Sequence, residues 1–146
     1  MKRAILSLTV CLIFWACNTL THYNAACDFD SMKWSVGQNA TFEFYPTSTL
    51  SEGHIKIGVR HELSLVDTTL HLVIRTSNPP LNTTYADTLP IKLMRGRGKR
   101  IPTTILNYRE GVVWQNTDKH TISISCLEDI EGIMGVSLEV ENALPK

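Results

Sequence analysis

The chain has 146 residues, enough for one domain, and its 43% hydrophobic and 19% charged residues are ordinary for a globular protein. Its 14 basic residues balance its 14 acidic residues, so the formal net charge is zero. A neutral chain has no general electrostatic attraction to nucleic acid or to an anionic membrane. Nucleic acid is therefore not an expected partner.

The first segment has the layout of a secretory signal peptide. Residues 1–3 form a short basic segment, and residues 4–16 form an uncharged apolar run. A run of about thirteen residues is too short for a transmembrane helix, which needs about 20. The sequence predicts a signal peptide over residues 1–21, with an end between residues 16 and 26, and a single secreted β domain over residues 22–146. No later stretch is apolar enough to span a bilayer, so the predicted localisation is extracellular.

The cleavage point has three interpretations. A cut after Thr19 or Thr21 fits the preference for small residues, whereas a cut after Ala16 places the bulky Phe14 where a small residue is wanted. Ala16 followed by Cys17 is also the arrangement at a bacterial lipoprotein junction. The first interpretation removes Cys17 from the mature chain, and the others retain it.

Cysteine usage predicts one disulfide bond. The chain has four cysteines, of which Cys11 lies in the apolar run and is lost on cleavage. If Cys17 is lost as well, Cys27 and Cys126 remain in an oxidising compartment and are expected to pair. In the chain-entropy model, closing so long a loop contributes roughly 4–5 kcal/mol. Two free thiols or an intermolecular bridge are the alternatives, and a monomer is expected if Cys17 is removed.

Two asparagines carry the N-glycosylation sequon. They are Asn39, in Asn-Ala-Thr, and Asn82, in Asn-Thr-Thr. In an exported eukaryotic chain such sites are credible surface positions that accept a glycan. The sequence therefore predicts a glycoprotein.

The hydrophobic pattern after residue 27 has a period of two, which is the signature of strands with one buried face. The strongest runs are centred on Phe42, Ile57, Leu72, Ile124 and Leu138. Weaker strand candidates lie at 63–66, 89–94, 103–107 and 111–115, and residues 127–133 are candidates for one short helical turn. Turn residues separate the runs every 8 to 12 residues or so. The predicted fold is all-β, an antiparallel β-sandwich resembling a jelly roll, with about eight strands.

A basic segment interrupts this pattern between two strand candidates. Arg95, Arg97, Lys99 and Arg100 place four cations in six residues, with glycines between them. One interpretation is an exposed, solvated loop. A second is processing, because Arg-x-Lys-Arg is a pattern that furin-like secretory proteases accept, with cleavage after Arg100. A third is binding of sulfated glycans or anionic headgroups.

Catalytic motifs are not recognisable. His54, His61, His71 and His120 are scattered and none has the spacing of a metal-ligand pair. The sequence has no Gly-x-Ser-x-Gly, no phosphate loop and no dinucleotide-binding glycine motif. The expectation is a protein that is not an enzyme, with no cofactor and no metal.

Trp114 is the candidate ligand contact. It follows two valines and precedes Gln115 and Asn116, and a tryptophan beside amides is suited to stacking on a sugar ring. The alternative is a tryptophan packed in the core. The sequence predicts a secreted, non-catalytic binding or effector protein, such as a toxin or salivary component, whose partner is a receptor, a glycan or a secreted protein. A precursor processed after Arg100 and a lipid-binding carrier are the alternatives.

Overall fold

The computed structural model describes residues 22–95 and 101–145. The predicted signal peptide, and Arg97, Lys99 and Arg100 of the basic segment, lie outside the described residues. In the described part of the chain, no helix has the length and apolar character needed to cross a membrane.

The described residues form antiparallel strands joined by short turns. Eight strands are seven to ten residues long and three have only two residues. The strands are β1 (His22–Asp28), β2 (Lys33–Trp34), β3 (Ala40–Pro46), β4 (Gly53–His61), β5 (Thr69–Asn78), β6 (Thr83–Lys92), β7 (Thr103–Val112), β8 (His120–Cys126), β9 (Ile130–Glu131), β10 (Ile133–Glu141) and β11 (Ala143–Leu144). Short 3-10 turns occupy Asp30–Met32, Leu63–Leu65 and Pro79–Leu81.

The strands assemble into two packed sheets with jelly-roll order. Sheet one has the order β1-β10-β4-β7, and sheet two has the order β11-β3-β8-β5-β6. A separate pair joins β2 and β9. The late strand β10 lies between β1 and β4, and β8 lies between β3 and β5, which are the long returns of a double Greek key. The predicted antiparallel, jelly-roll-like sandwich is confirmed.

Alternation along the strands builds the core between the sheets. Ile57, Leu72, Ile124 and Leu138 are fully buried, and Phe42 is nearly so. Each belongs to one of the five strong alternating runs, and the five runs fall within β3, β4, β5, β8 and β10. Inward residues pack against the opposite sheet while their neighbours face water, because successive side chains of a strand point to opposite faces.

The weaker sequence predictions have mixed outcomes. Residues 103–107 lie in β7 and most of 89–94 lies in β6, as expected. Residues 63–66 are wrong as a strand, since Leu63–Leu65 is a 3-10 turn, and only the first two residues of 111–115 belong to a strand. In place of the short helical turn, residues 127–133 contain β9. These segments are short, and short apolar runs carry too few repeats to distinguish a strand from a turn.

The structure does not contain the disulfide predicted between Cys27 and Cys126. Both are free thiols in the structure. Cys27 pairs with Val136 in sheet one, whereas Cys126 pairs with Leu72 in sheet two. The two cysteines therefore belong to strands of different sheets. The Cys126 sulfur instead lies 3.8 Å from the backbone carbonyl of Trp34, which fills the same end of the core.

Candidate functional site

A cleft opens at one end of the sandwich. It has a volume of about 200 Å³. Strands β5 and β7 end there and strands β6 and β8 begin there, so the cleft is framed by both sheets. Its lining is mainly apolar, and the polar groups come from a few side chains that are discussed below.

Trp114 forms a buried wall of this cleft. The chain leaves β7 after Val112, and the indole lies edge-on to Phe44 at 5.3 Å and to His120 at 4.8 Å between ring centroids. Only 6% of Trp114 is exposed. The core-packing interpretation of this residue therefore holds, and an open stacking platform is not what the structure presents. Trp114 nevertheless lines the cleft, and its contact with a ligand stays a prediction.

A buried polar triangle lies beside the tryptophan. The side-chain Nδ2 of Asn78 donates to Oδ1 of Asn116 at 3.3 Å and lies 3.3 Å from Nε2 of His120. The same imidazole nitrogen is 3.2 Å from Asn116 Oδ1. Burial lowers the pKa of His120 below its usual value, against a smaller opposing effect of its contact with Asn116. The neutral ring is the favoured form, because a buried imidazolium would lose its hydration.

Two atoms at the cleft have no hydrogen-bond partner in the described parts of the chain. They are Oδ1 of Asn78 and Nε1 of Trp114, and both are buried side-chain atoms. Asn78 as a whole is only 5% exposed. Leaving a buried donor or acceptor unpaired costs about 1–3 kcal/mol, and such a group in a folded protein requires an explanation. The pair consists of one acceptor and one donor, and both residues line the same cleft.

An ion-pair network bridges the sheets along the side of the cleft. The Tyr108 hydroxyl and the Arg109 guanidinium both donate to Oδ2 of Asp87, at 2.5 and 2.7 Å. The hydrogen bond from Tyr108, and then that from Arg109, hold the pKa of Asp87 below its usual range. Asp87 belongs to β6 of sheet two, and the other two residues belong to β7 of sheet one. The network therefore joins the outermost strands of the two sheets and fixes one side of the cleft.

The exposed aromatic side chain at the cleft is Tyr85. It lies on β6 opposite Thr76 of β5, and 62% of the residue is exposed. Sequence reasoning missed Tyr85, Asn78 and the role of His120. Asn78 precedes two prolines and is typical of a turn, and nothing in the sequence indicates that it meets a histidine 42 positions later.

The other predicted site residues lie elsewhere or at the margin. Arg95 is exposed and follows the far end of β6, so the structure separates it from Trp114. Asn39 and Asn82 are both exposed. Asn82 has a left-handed backbone and immediately precedes Thr83, which lines the cleft. Both sequons are thus at accessible positions, and their glycosylation stays a prediction.

A second polar cluster lies on the outer face of sheet one. Ligand-type atoms of His22, Glu139 and Glu141 are all within 4.8 Å of one another. Histidine and carboxylate side chains are common metal ligands. Among residues 22–95 and 101–145, this is the one cluster of three such side chains whose ligand atoms lie this close together. It is distinct from the cleft, which contains none of these three residues.

Comparison with known proteins gives little that bears on function. No protein-family model matches the chain, and no curated protein matches it. A solved structure that is similar is the Yersinia pseudotuberculosis-derived mitogen, at 11% sequence identity and a TM-score of 0.38. The similarity covers 87% of this chain and 97% of that one.

Proposed function

We propose that this chain is a non-catalytic extracellular binding protein whose cleft accommodates one sugar ring of a glycan. The observation that carries the proposal is the pair of unpartnered buried atoms at the cleft, Asn78 Oδ1 and Trp114 Nε1. A glycan is one of the partner classes that the sequence predicts.

The polar chemistry of the cleft supports a hydroxyl-bearing ligand. Asn78 offers an acceptor and Trp114 offers a donor, and a hydroxyl group can both donate and accept. Neighbouring hydroxyls on one ring would satisfy both atoms together. The exposed ring of Tyr85 supplies an aromatic face at the same cleft, and aromatic rings commonly pack against sugar rings.

The size of the cleft supports a small ligand. Its volume of about 200 Å³ is below the range of about 300–1,000 Å³ that is typical of sites for drug-sized molecules. A single ring fits this space better than an extended chain does. The space between the sheets is filled by one contiguous core cluster, so the structure gives no support to the lipid-carrier alternative in the residues that it describes.

The groups at the cleft also suit binding better than a reaction. His120 is held by two amides, and the Asp87 carboxylate beside the cleft is already engaged by Tyr108 and Arg109. General acid–base catalysis needs a proton donor or acceptor that is free to reach the substrate. These contacts support a protein that binds without transforming its ligand.

The two described tryptophans provide an internal test of the proposal. In the nitrogen-labelled protein, a panel of mono- and disaccharides is titrated while the indole N–H resonances are followed by NMR. The Trp114 resonance is expected to move, because its N–H gains a partner. The Trp34 N–H already donates to the Gln38 carbonyl at 2.9 Å, so its resonance is the reference that stays in place.

A matched pair of variants identifies the binding surface. Tyr85→Ala removes the exposed ring at the cleft and is expected to weaken saccharide binding by about tenfold, as for one well-packed aromatic contact. Val36→Ala removes a comparably exposed side chain near Trp34, at the opposite end of the sandwich, and should leave binding unchanged. If no saccharide moves the Trp114 resonance, or if both tryptophan resonances move together, the proposal is wrong.

A further inference from the structure

We propose that the outer face of sheet one binds one zinc ion through His22, Glu139 and Glu141. This site is independent of the cleft and of the saccharide proposal. The geometry points to it because residues that are remote in sequence bring one imidazole and two carboxylates to one patch.

Strand register places these groups on the same face. His22 of β1 is directly opposite Glu141 of β10, and Glu139 is two residues earlier on the same strand. Residues two apart on a strand share a face, so both carboxylates and the imidazole point away from the core. The intervening Val140 is fully buried, which confirms the outward direction of its neighbours. The sheet ladder therefore fixes the backbone of all three candidate ligands.

The distances are close to those that a metal requires. In a tetrahedral zinc site with bonds of about 2.0–2.2 Å, neighbouring ligand atoms are about 3.3–3.6 Å apart. His22 Nδ1 lies 3.8 Å from Glu139 Oε1, and all three ligand atoms are within 4.8 Å of one another. Small side-chain rotations suffice to close the set around one ion, and a water molecule would complete the tetrahedron. Imidazole with carboxylate favours Zn²⁺ over Ca²⁺, which prefers six or more oxygen ligands.

His54 supports the orientation of one ligand. Its Nε2 lies 3.7 Å from Glu141 Oε2, and its strand, β4, flanks β10 on the side opposite β1. A partner that holds the outer oxygen of a metal-binding carboxylate fixes the direction of the inner oxygen. His54 is therefore a positioning residue in this proposal.

Lys56 is the internal competitor for the site. Its ammonium group lies 3.3 Å from Glu139 Oε1 and 3.8 Å from Glu141 Oε1, so one positive charge already faces the two carboxylates. Ion pairs between partly exposed side chains are weak, and the lysine stem is flexible enough to move aside. Two carboxylates are also better neutralised by a divalent ion than by one ammonium. Removing Lys56 should consequently strengthen zinc binding.

The experiment measures zinc affinity directly. Zn²⁺ is titrated into purified protein in competition with a chromophoric chelator, after an intact mass confirms that residue 22 is retained. One zinc per chain is expected, with no competition from Ca²⁺ at the same concentration. His22→Ala and Glu139→Gln should each lower the affinity by about tenfold or more, as expected for loss of a ligand. Lys56→Met should raise the affinity several-fold.

His71→Ala is the matched control. His71 forms an exposed pair with Glu128 at 3.7 Å, nearly the geometry of His22 with Glu139, but without a second carboxylate in the pair. This variant should bind zinc as the unmodified protein does. The proposal is overturned if stoichiometric zinc binding is absent, if it survives in His22→Ala, or if His71→Ala weakens it equally. An unchanged affinity in Lys56→Met likewise overturns the placement of the ion between the two carboxylates.

Discussion

His120 couples the cleft to pH. Burial depresses the pKa of the folded-state imidazole, whereas in the unfolded chain it returns to about 6.5. As the pH falls below that value, the unfolded state binds the proton more readily than the folded state does. Protonation of His120 therefore does not affect the free energy of unfolding above about pH 7. The free energy of unfolding falls as the pH drops from 6.5 towards the folded-state pKa.

Urea unfolding between about pH 5 and pH 7.5 tests this prediction. His120→Phe keeps a ring beside Phe44 and Trp114 and removes the titrating group, so its stability should vary less with pH over that interval. His71→Gln replaces an exposed imidazole outside the cleft and is the control for the removal of a histidine. An identical slope in His120→Phe would show that the pH dependence originates elsewhere.

The two described thiols should differ in reactivity. Burial raises the pKa of Cys126, so little of the reactive thiolate is present near neutral pH. Cys27 is only half-buried. In the native protein an alkylating reagent should modify Cys27 well before Cys126, and in urea without reductant it should modify both, as read from peptide masses. Failure to alkylate either thiol in urea would show that the disulfide predicted from the sequence forms after all.

Single residues at the cleft illustrate what the sequence can and cannot predict. Trp114 is identifiable because an indole next to amides is an unusual local combination. Asn78 is not identifiable, because its contact with His120 arises from the neighbouring positions of β5 and β8 in sheet two. The exposure of Tyr85 follows from the open edge of β6, which is also a property of the assembled sheet.

At the level of elements, periodicity predicts strands where the buried side chains are large. The runs around Ile57 and Leu138 alternate large apolar residues with polar ones and are found as β4 and β10. Strand β1 was missed because its inward positions include the small residues Ala25 and Cys27, which give a faint pattern. Strand order cannot be predicted in this way, because nothing local in the sequence places β10 between β1 and β4.

That strand order predicts the outcome of a cut in the basic segment. Arg95 at the start of the segment and Ile101 just after it are exposed, so trypsin should cut first between residues 95 and 100. The fragment that follows the cut supplies β8, between β3 and β5, and β10, between β1 and β4. The two fragments should therefore stay together without a covalent link. They should co-elute in gel filtration and separate only in denaturant.

A matched variant locates the cut. Replacing Arg95, Arg97, Lys99 and Arg100 by glutamine should slow the first cleavage strongly, whereas Lys33→Gln, in the β2–β9 pair, should leave its rate unchanged. Fragments that separate in native buffer would contradict the interleaved strand order. The same nicked protein would show whether processing after Arg100 alters saccharide binding.

The two ends of the whole molecule differ in how their tryptophans are used. Trp34 stacks on Phe29 with ring centroids 4.8 Å apart, and its N–H is bonded to the Gln38 carbonyl. Trp114 is equally well packed at the other end, yet its N–H is unpartnered among the residues the structure describes. If both tryptophans served only to pack the core, both indole N–H groups would be expected to have hydrogen-bond partners. The unused donor therefore supports the proposal that a ligand binds at this end.

Burial of the thiols also determines how two copies of the chain can be joined covalently. Cys126 lies in the core, and the half-buried Cys27 packs against it, so each presents less of its thiol to a second molecule than an exposed cysteine would. Cys17 is then the residue on which a covalent dimer is expected to depend.

If a eukaryotic secretory host cuts after Thr19 or Thr21, the product should migrate as a monomer without reductant, and Cys17→Ser should migrate identically. Intact mass after deglycosylation locates the new N-terminus. A dimer abolished by Cys17→Ser would show cleavage after Ala16, and a dimer that survives in this variant would show that Cys27 is more accessible than its packing indicates.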